Sequence, residues 1–212
     1  MRDLLFADLD AEGATRVFGL GPRPSPLAAM AAAVSRHDVP AARVALADVL
    51  IRHPETRLWL QAWTLAREAG LPPSETAHRA RGVVVEMGLE SGVDTVACYD
   101  DGSARYVNQA GGEVFWDGHT ADVAILSAVD TLLAAGQAIA DATVPLDGRR
   151  PGPPGPGSAS IAVLTEGGAH LGAGPADPFA LDPLGGPAID AALMLMIALI
   201  DVSQKGGSAP VA

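Results

Sequence analysis

The sequence predicts an α+β fold: an N-terminal helical module, then an antiparallel sheet of five to six short strands with two packed helices. Three observations carry this. Apolar residues recur at helical spacing between about residues 25 and 70. From residue 82 the period shortens, and β-forming runs are separated by glycine-marked turns, as in "DGSARYVNQAGGEVFWDG" at 101–118, each turn long enough only for an antiparallel hairpin. Two long apolar helices with one further hairpin between them close the chain, and strands followed by helices place the helices on an antiparallel sheet.

Composition narrows the function classes. Hydrophobic residues make up 49% of the 212, but aromatics only 4%, so the core must be built from Val, Leu, Ile and Ala. A formal net charge of −11 repels phosphate backbones and anionic lipid headgroups, which excludes nucleic acid as a partner. The N-terminal "MRDLLFADLDAEG" is broken by Asp3, Asp8 and Asp10, unlike the uncharged centre of a secretory signal. "AALMLMIALI" is uninterrupted only between Asp190 and Asp201, short of the roughly 20 residues a bilayer span requires, and reads as a buried core helix. No membrane partner and a cytoplasmic location are therefore expected. Cys98 is the single cysteine, which rules out an intrachain disulfide and a cysteine zinc cluster, and its strand context marks a small buried hydrophobe.

Residues 1–24, with Gly13, Gly19, Gly21, Pro22 and Pro24, read as a tail or strap. The helical module covers 25–81. Ser25 caps its first helix and Pro26 takes the first helical position, ahead of Leu27, Met30, Ala31 and Val34. Asp38 opens a second helix with Ala42, Ala45, Leu46, Val49 and Leu50 on one face, ended by His53 and Pro54. A third runs from about Glu55 to Ala69, burying Leu58, Ala62, Leu65 and Ala66, and stops at Gly70 before Pro72 and Pro73. Ala42, Leu46, Val49 and Pro54 fall on the small, large, small and proline positions of a tetratricopeptide second helix, and over residues 26–81 the module resembles that helical hairpin. The first helix lacks the usual aromatic and the glycine that follows it. The resemblance implies a protein-binding or packing module; helices that simply cap the sheet domain are the other reading. Trp59 and Trp63, four apart, stack on one face, either docking the helices or anchoring a partner.

The sheet domain covers 82–204. "GVVVEMGL" is a strand covered on both faces; "VDTVACYD", "SARYVN" and "EVFW" follow across turns at Asp100 to Gly102 and "QAGG". These make the central meander of the sheet, whose Tyr106 and Trp116 pack across strands and onto a helix or, with the two earlier tryptophans, face a partner. Ile125, Leu132, Gly136 and Ile139 mark a helix of about 20 residues. The connector 145–157, "PLDGRRPGPPGPG", cannot hold regular structure. "SIAVLT" and "AHLGAG" form a hairpin, and after a Pro/Gly loop a helix from about Ala188 to Val202, apolar nearly all round, is buried on most sides. Residues 205–212 read as a disordered tail. In element order the domain resembles profilin-like and roadblock-like domains, many of which bind proteins or small GTPases; that likeness rests on order alone.

No strong catalytic constellation is present. No two histidines stand closer than His37 and His53, so no paired motif suggests a metal, and no cofactor fingerprint occurs. Asp117, His119 and Asp122 are spaced either as a helix start with acidic groups near the positive dipole end or as a base with its orienting group. "EGGAHLGAGP" lacks the lysine and hydroxyl of a phosphate loop. Two functions follow as expectations. The first is a non-enzymatic protein-binding adaptor or regulatory subunit with Trp59, Trp63, Tyr106 and Trp116 as contact candidates. The alternative is a small-molecule-binding or hydrolytic domain with Asp117, His119, Asp122 and His170 around one pocket. The poorly charged strands "SARYVN" and "AHLGAG" read as sheet edges, and they or the last helix would serve a homodimer.

Overall fold

The computed structural model describes residues 2–20, 25–52, 55–119 and 122–206. Contacts divide the chain into two compact units: residues up to Arg79 together with Thr165–Gly168, and Ala80–Leu164 together with Ala169 onward.

The helical unit contains α1 (Arg2–Leu5), α2 (Ala11–Phe18), α3 (Pro26–Ser35), α4 (Val39–Arg52) and α5 (Thr56–Glu68). The start of the chain, expected as a tail or strap, forms two of these helices. Asp10 caps α2 by accepting from the Gly13 amide at 2.8 Å, and Gly19 is its C-cap, so glycines that look like breakers lie in the first turn and at the end, where they cost a helix least. Gly21 to Pro24 lie outside the described residues, as do His53 and Pro54, the expected end of the second helix. Ser25 accepts from the Ala28 amide and Pro26 opens α3, as expected. The glycine missing after this helix is replaced by His37 in the left-handed region (φ 56°), with the Asp38 amide reaching back to the Ala33 carbonyl at 2.9 Å. Leu27, Met30, Ala31 and Val34 of α3, Ala42, Leu46 and Val49 of α4, and Ala62, Trp63 and Leu65 of α5 share one core. The three described positions that carry the tetratricopeptide resemblance therefore form the inner face of α4, as any amphipathic helix requires.

The second unit is built on β1 (Gly82–Leu89), β2 (Gly92–Tyr99), β3 (Ala104–Val107), β4 (Glu113–Trp116), β5 (Ser158–Thr165) and β6 (Gly168–Pro175). The six-stranded antiparallel sheet runs β4-β3-β2-β1-β5-β6, which with the helices makes the fold α+β. The meander is thus one end of the sheet rather than its centre, because β5 pairs with the free side of β1 from Gly82↔Leu164 to Met87↔Ala159. "SARYVN" is no edge either, because β3 pairs with β2 on one side and β4 on the other, and the edges are β4 and β6. Val83, Val84 and Val85 are all buried, as the continuous apolar run of β1 requires.

One sheet face, with Val83, Val85, Val96, Cys98, Tyr106, Ile161 and Val163, is covered by α6 (Val123–Ala142) and α8 (Gly185–Gly206), which pack side by side. Gly136 lets α6 approach the sheet: a Cβ there would stand 2.4 Å from Val83 Cγ2. The connector is irregular but tethered at both ends, by Leu146 N to Ala169 O at 2.7 Å and Gly157 N to Gly88 O at 3.0 Å. A short helix α7 (Ala176–Ala180) occupies part of the expected Pro/Gly loop. α8 starts earlier and ends later than its apolar run suggests, so Lys205 and Gly206 are helical rather than tail; 207–212 lie outside the described residues.

Candidate functional site

The closing helix is apolar nearly all round because it carries two stripes, and only one of them is buried. Ala188, Ile189, Ala192, Leu195 and Leu199 face the sheet core. Pro187, Asp190, Met194, Ile197 and Asp201, spaced three and four apart, line the opposite side, and Met194 and Ile197 stay 66% and 51% exposed. The expectation of burial on most sides is therefore corrected. Ala124, Ser127, Ala128 and Thr131 of α6 recur at the same helical spacing and complete the second wall of a groove of about 580 Å³. Its walls are small residues, its projecting side chains are Met194 and Ile197, and among the described residues that line it the charged groups are the carboxylates of Asp190 and Asp201.

α6 and α8 are also long and apolar enough, by length and composition, to cross a membrane. Asp190 and Asp201, which interrupt the apolar run, lie within the helix on its exposed stripe.

The four residues of the alternative pocket are not brought together. Asp117 accepts from the His119 amide at 2.9 Å in an exposed turn, and Asp122 is the N-cap of α6, accepting from the amides of Ala124 and Ile125. His170 lies on β6 and shares a 2.9 Å hydrogen bond with Thr143, the C-cap of the same helix. The 20 residues of α6 between those caps rise roughly 30 Å, so the histidine and Asp122 belong to opposite ends of the unit. His170 is 2% exposed, its Nε2 has no hydrogen-bond partner among the described residues, and burial holds its pKa below the ordinary value. Among the described residues, no three His, Cys, Asp or Glu side chains gather closely enough to hold a metal ion.

The aromatic candidates serve cores. Trp63 is 7% exposed within the helical core, and its ring meets the half-buried Trp59 edge to face, 6.1 Å between centroids at 77°. Tyr106 is buried in the sheet core and donates to Asp94 at 2.9 Å; burial, then that hydrogen bond and charge, push its pKa up to about 12. Trp116, paired with Ala104 across the strands, packs against the same core. Phe115, on the other face, lies under the Arg105 guanidinium at 4.7 Å. Burial pushes the Cys98 thiol upward, which makes it an unreactive core residue.

Sequence reasoning missed Glu166, a fully buried carboxylate in the β5–β6 turn that groups with the helical unit. It accepts from the hydroxyls of Ser74 and Thr76, while its carbonyl accepts from Arg67. Its partners lie about ninety residues away in sequence, so no local signal points to them. These bonds satisfy the carboxylate and mark a structural tie. No family model, curated protein or solved structure matches this chain.

Proposed function

We propose that this chain is a non-enzymatic protein-binding adaptor or regulatory subunit and that it engages its partner through the outer groove of α6 and α8. The observation that carries the reading is the second stripe of α8. Met194 and Ile197 project from a helix whose packing on the sheet is already complete without them. Large apolar side chains grouped over small-residue walls and rimmed by polar groups are the usual anatomy of a protein interaction site. The candidate catalytic residues, by contrast, are engaged in a turn, a helix cap and a buried strand position, and His170 stands at the far end of α6 from Asp122, which speaks against one shared pocket.

Site-specific photo-crosslinking tests this. A benzophenone amino acid replacing Met194, illuminated in the cells that express the chain, should trap one discrete polypeptide. The same residue replacing Ile51, exposed on α4, should not. Addition of Ile197→Asp should abolish the adduct. Equal, diffuse labelling from both positions would remove the groove from consideration as a binding surface.

A further inference from the structure

The groove also constrains what can fill it, and the following rests on the protein-binding reading above. α6 contains Asp130 and Asp141 and no lysine or arginine; α8 contains Asp190 and Asp201, with Lys205 only in its last turn. The whole chain carries a net charge of −11. On the exposed stripe, Met194 and Ile197 are flanked by Asp190 four residues before and Asp201 four residues after. Both pairs lie symmetrically about the same point, between Leu195 and Met196.

That symmetry decides between occupants. A second copy docked about a two-fold axis on this stripe would set Met194 against its counterpart's Ile197, as an apolar contact wants. It would equally set Asp190 against Asp201 of the other copy, twice, and like charges facing across an interface oppose association. An anionic bilayer meets the same two carboxylates. A helix with basic residues at those two positions satisfies all four points at once, with apolar side chains between the small residues of α6 and cations on the carboxylates.

We infer that the partner presents a basic amphipathic helix to the α6–α8 groove, in the pattern basic, three residues, apolar, two residues, apolar, three residues, basic. This pattern reads the same in both directions, so it does not depend on the polarity of docking.

The test uses the full-length chain and a fluorescent alanine-based peptide of about 18 residues, long enough to hold a helix when helix-stabilised. It carries lysine, leucine, leucine and lysine at the spacing of Asp190, Met194, Ile197 and Asp201. Anisotropy should show saturable one-to-one binding, with a dissociation constant on the order of 10 μM. The double variant Asp190→Asn, Asp201→Asn, isosteric and on the surface, should bind about tenfold more weakly, as should Met194→Ser. A control peptide with glutamate replacing lysine should not bind. Binding that ignores both aspartates would be bulk charge attraction and would overturn the inference. So would preference for the glutamate peptide or for phosphatidylcholine vesicles, or a doubled mass by light scattering that Met194→Ser halves. A discrete crosslink from position 194 to another protein, alongside any of these, would leave the protein-binding reading standing while the basic-helix inference fails; silence of peptide and crosslink together would remove both.

Discussion

His170 is buried as a neutral ring, and that has a consequence in pH. Its folded pKa lies below the ordinary value of about 6.5, so as pH falls the unfolded chain takes up a proton before the folded one does. The stability that neutral burial allows is complete above about pH 6.5 and is lost progressively as pH falls toward the folded pKa, at no more than about 1.4 kcal/mol per pH unit. Urea midpoints at pH 7.5 and 5.5 should therefore converge more closely in His170→Gln than in the native chain; parallel loss in both would show that this ring is not the titrating group. Tyr106→Phe removes a hydrogen bond to a carboxylate that keeps the Gln109 amide as a second donor at 2.8 Å. A cost of about 1–2 kcal/mol is expected, read as a shifted urea midpoint with an unchanged m-value. Single residues differ sharply in how visible these roles are beforehand. Asp122 and Ser25 show as caps because a cap bonds to amides two and three residues away. The burial of His170 depends on Thr143, on a different element, and no local pattern encodes that.

For the elements, apolar patterning and turn residues were enough to find each described strand and the five longer helices, because each packs at least one side into a core. It was not enough to tell which side of α8 is covered, since both stripes are apolar and only the packing of α6 and the sheet separates them. Substitutions should separate them cleanly. Leu195→Asp places a charge at a fully buried position of the sheet core and should prevent folding, well beyond about 4 kcal/mol of destabilisation. Met194→Asp and Ile197→Asp act on the exposed stripe and should shift the thermal midpoint little, within about 0.5 kcal/mol. Circular dichroism melts of the three variants decide it, and unfolding by Met194→Asp would mean the outer stripe is internal. The order of strands was hidden for a related reason. Hairpins are local, so β1 to β4 follow from their turns, whereas the pairing of β1 with β5 crosses α6 and the connector, and that pairing moves the meander from the centre to one end.

At the level of the whole chain, the change of period near residue 80 marks where one unit gives way to the other, but the sequence conceals that the helical unit is discontinuous. Thr165–Gly168 belongs to it, through the hydroxyls of Ser74 and Thr76 on the Glu166 carboxylate, Arg67 on the Glu166 carbonyl, and the Gly167 amide on the Ala77 carbonyl at 2.9 Å. These bonds matter more here than they would in a leucine-rich bundle. The core of this unit draws heavily on Ala11, Ala14, Ala31, Ala33, Ala42, Ala62 and Ala66, and at about 25 cal/mol per Å² each alanine contributes little. A fragment ending at Arg79 keeps every helix and loses the turn. It should remain helical by circular dichroism yet melt well below the corresponding transition of the full chain, because Arg67 and the Ala77 carbonyl are left without the acceptor and donor they use. Glu166→Ala in the full chain separates the contributions: the main-chain bonds of the turn stay, the hydroxyl contacts of Ser74 and Thr76 with the carboxylate go, and a loss of about 1–3 kcal/mol is expected. A fragment as stable as the intact unit, with Glu166→Ala silent, would show that the four-residue turn adds nothing and that the helices fold on their alanine core alone.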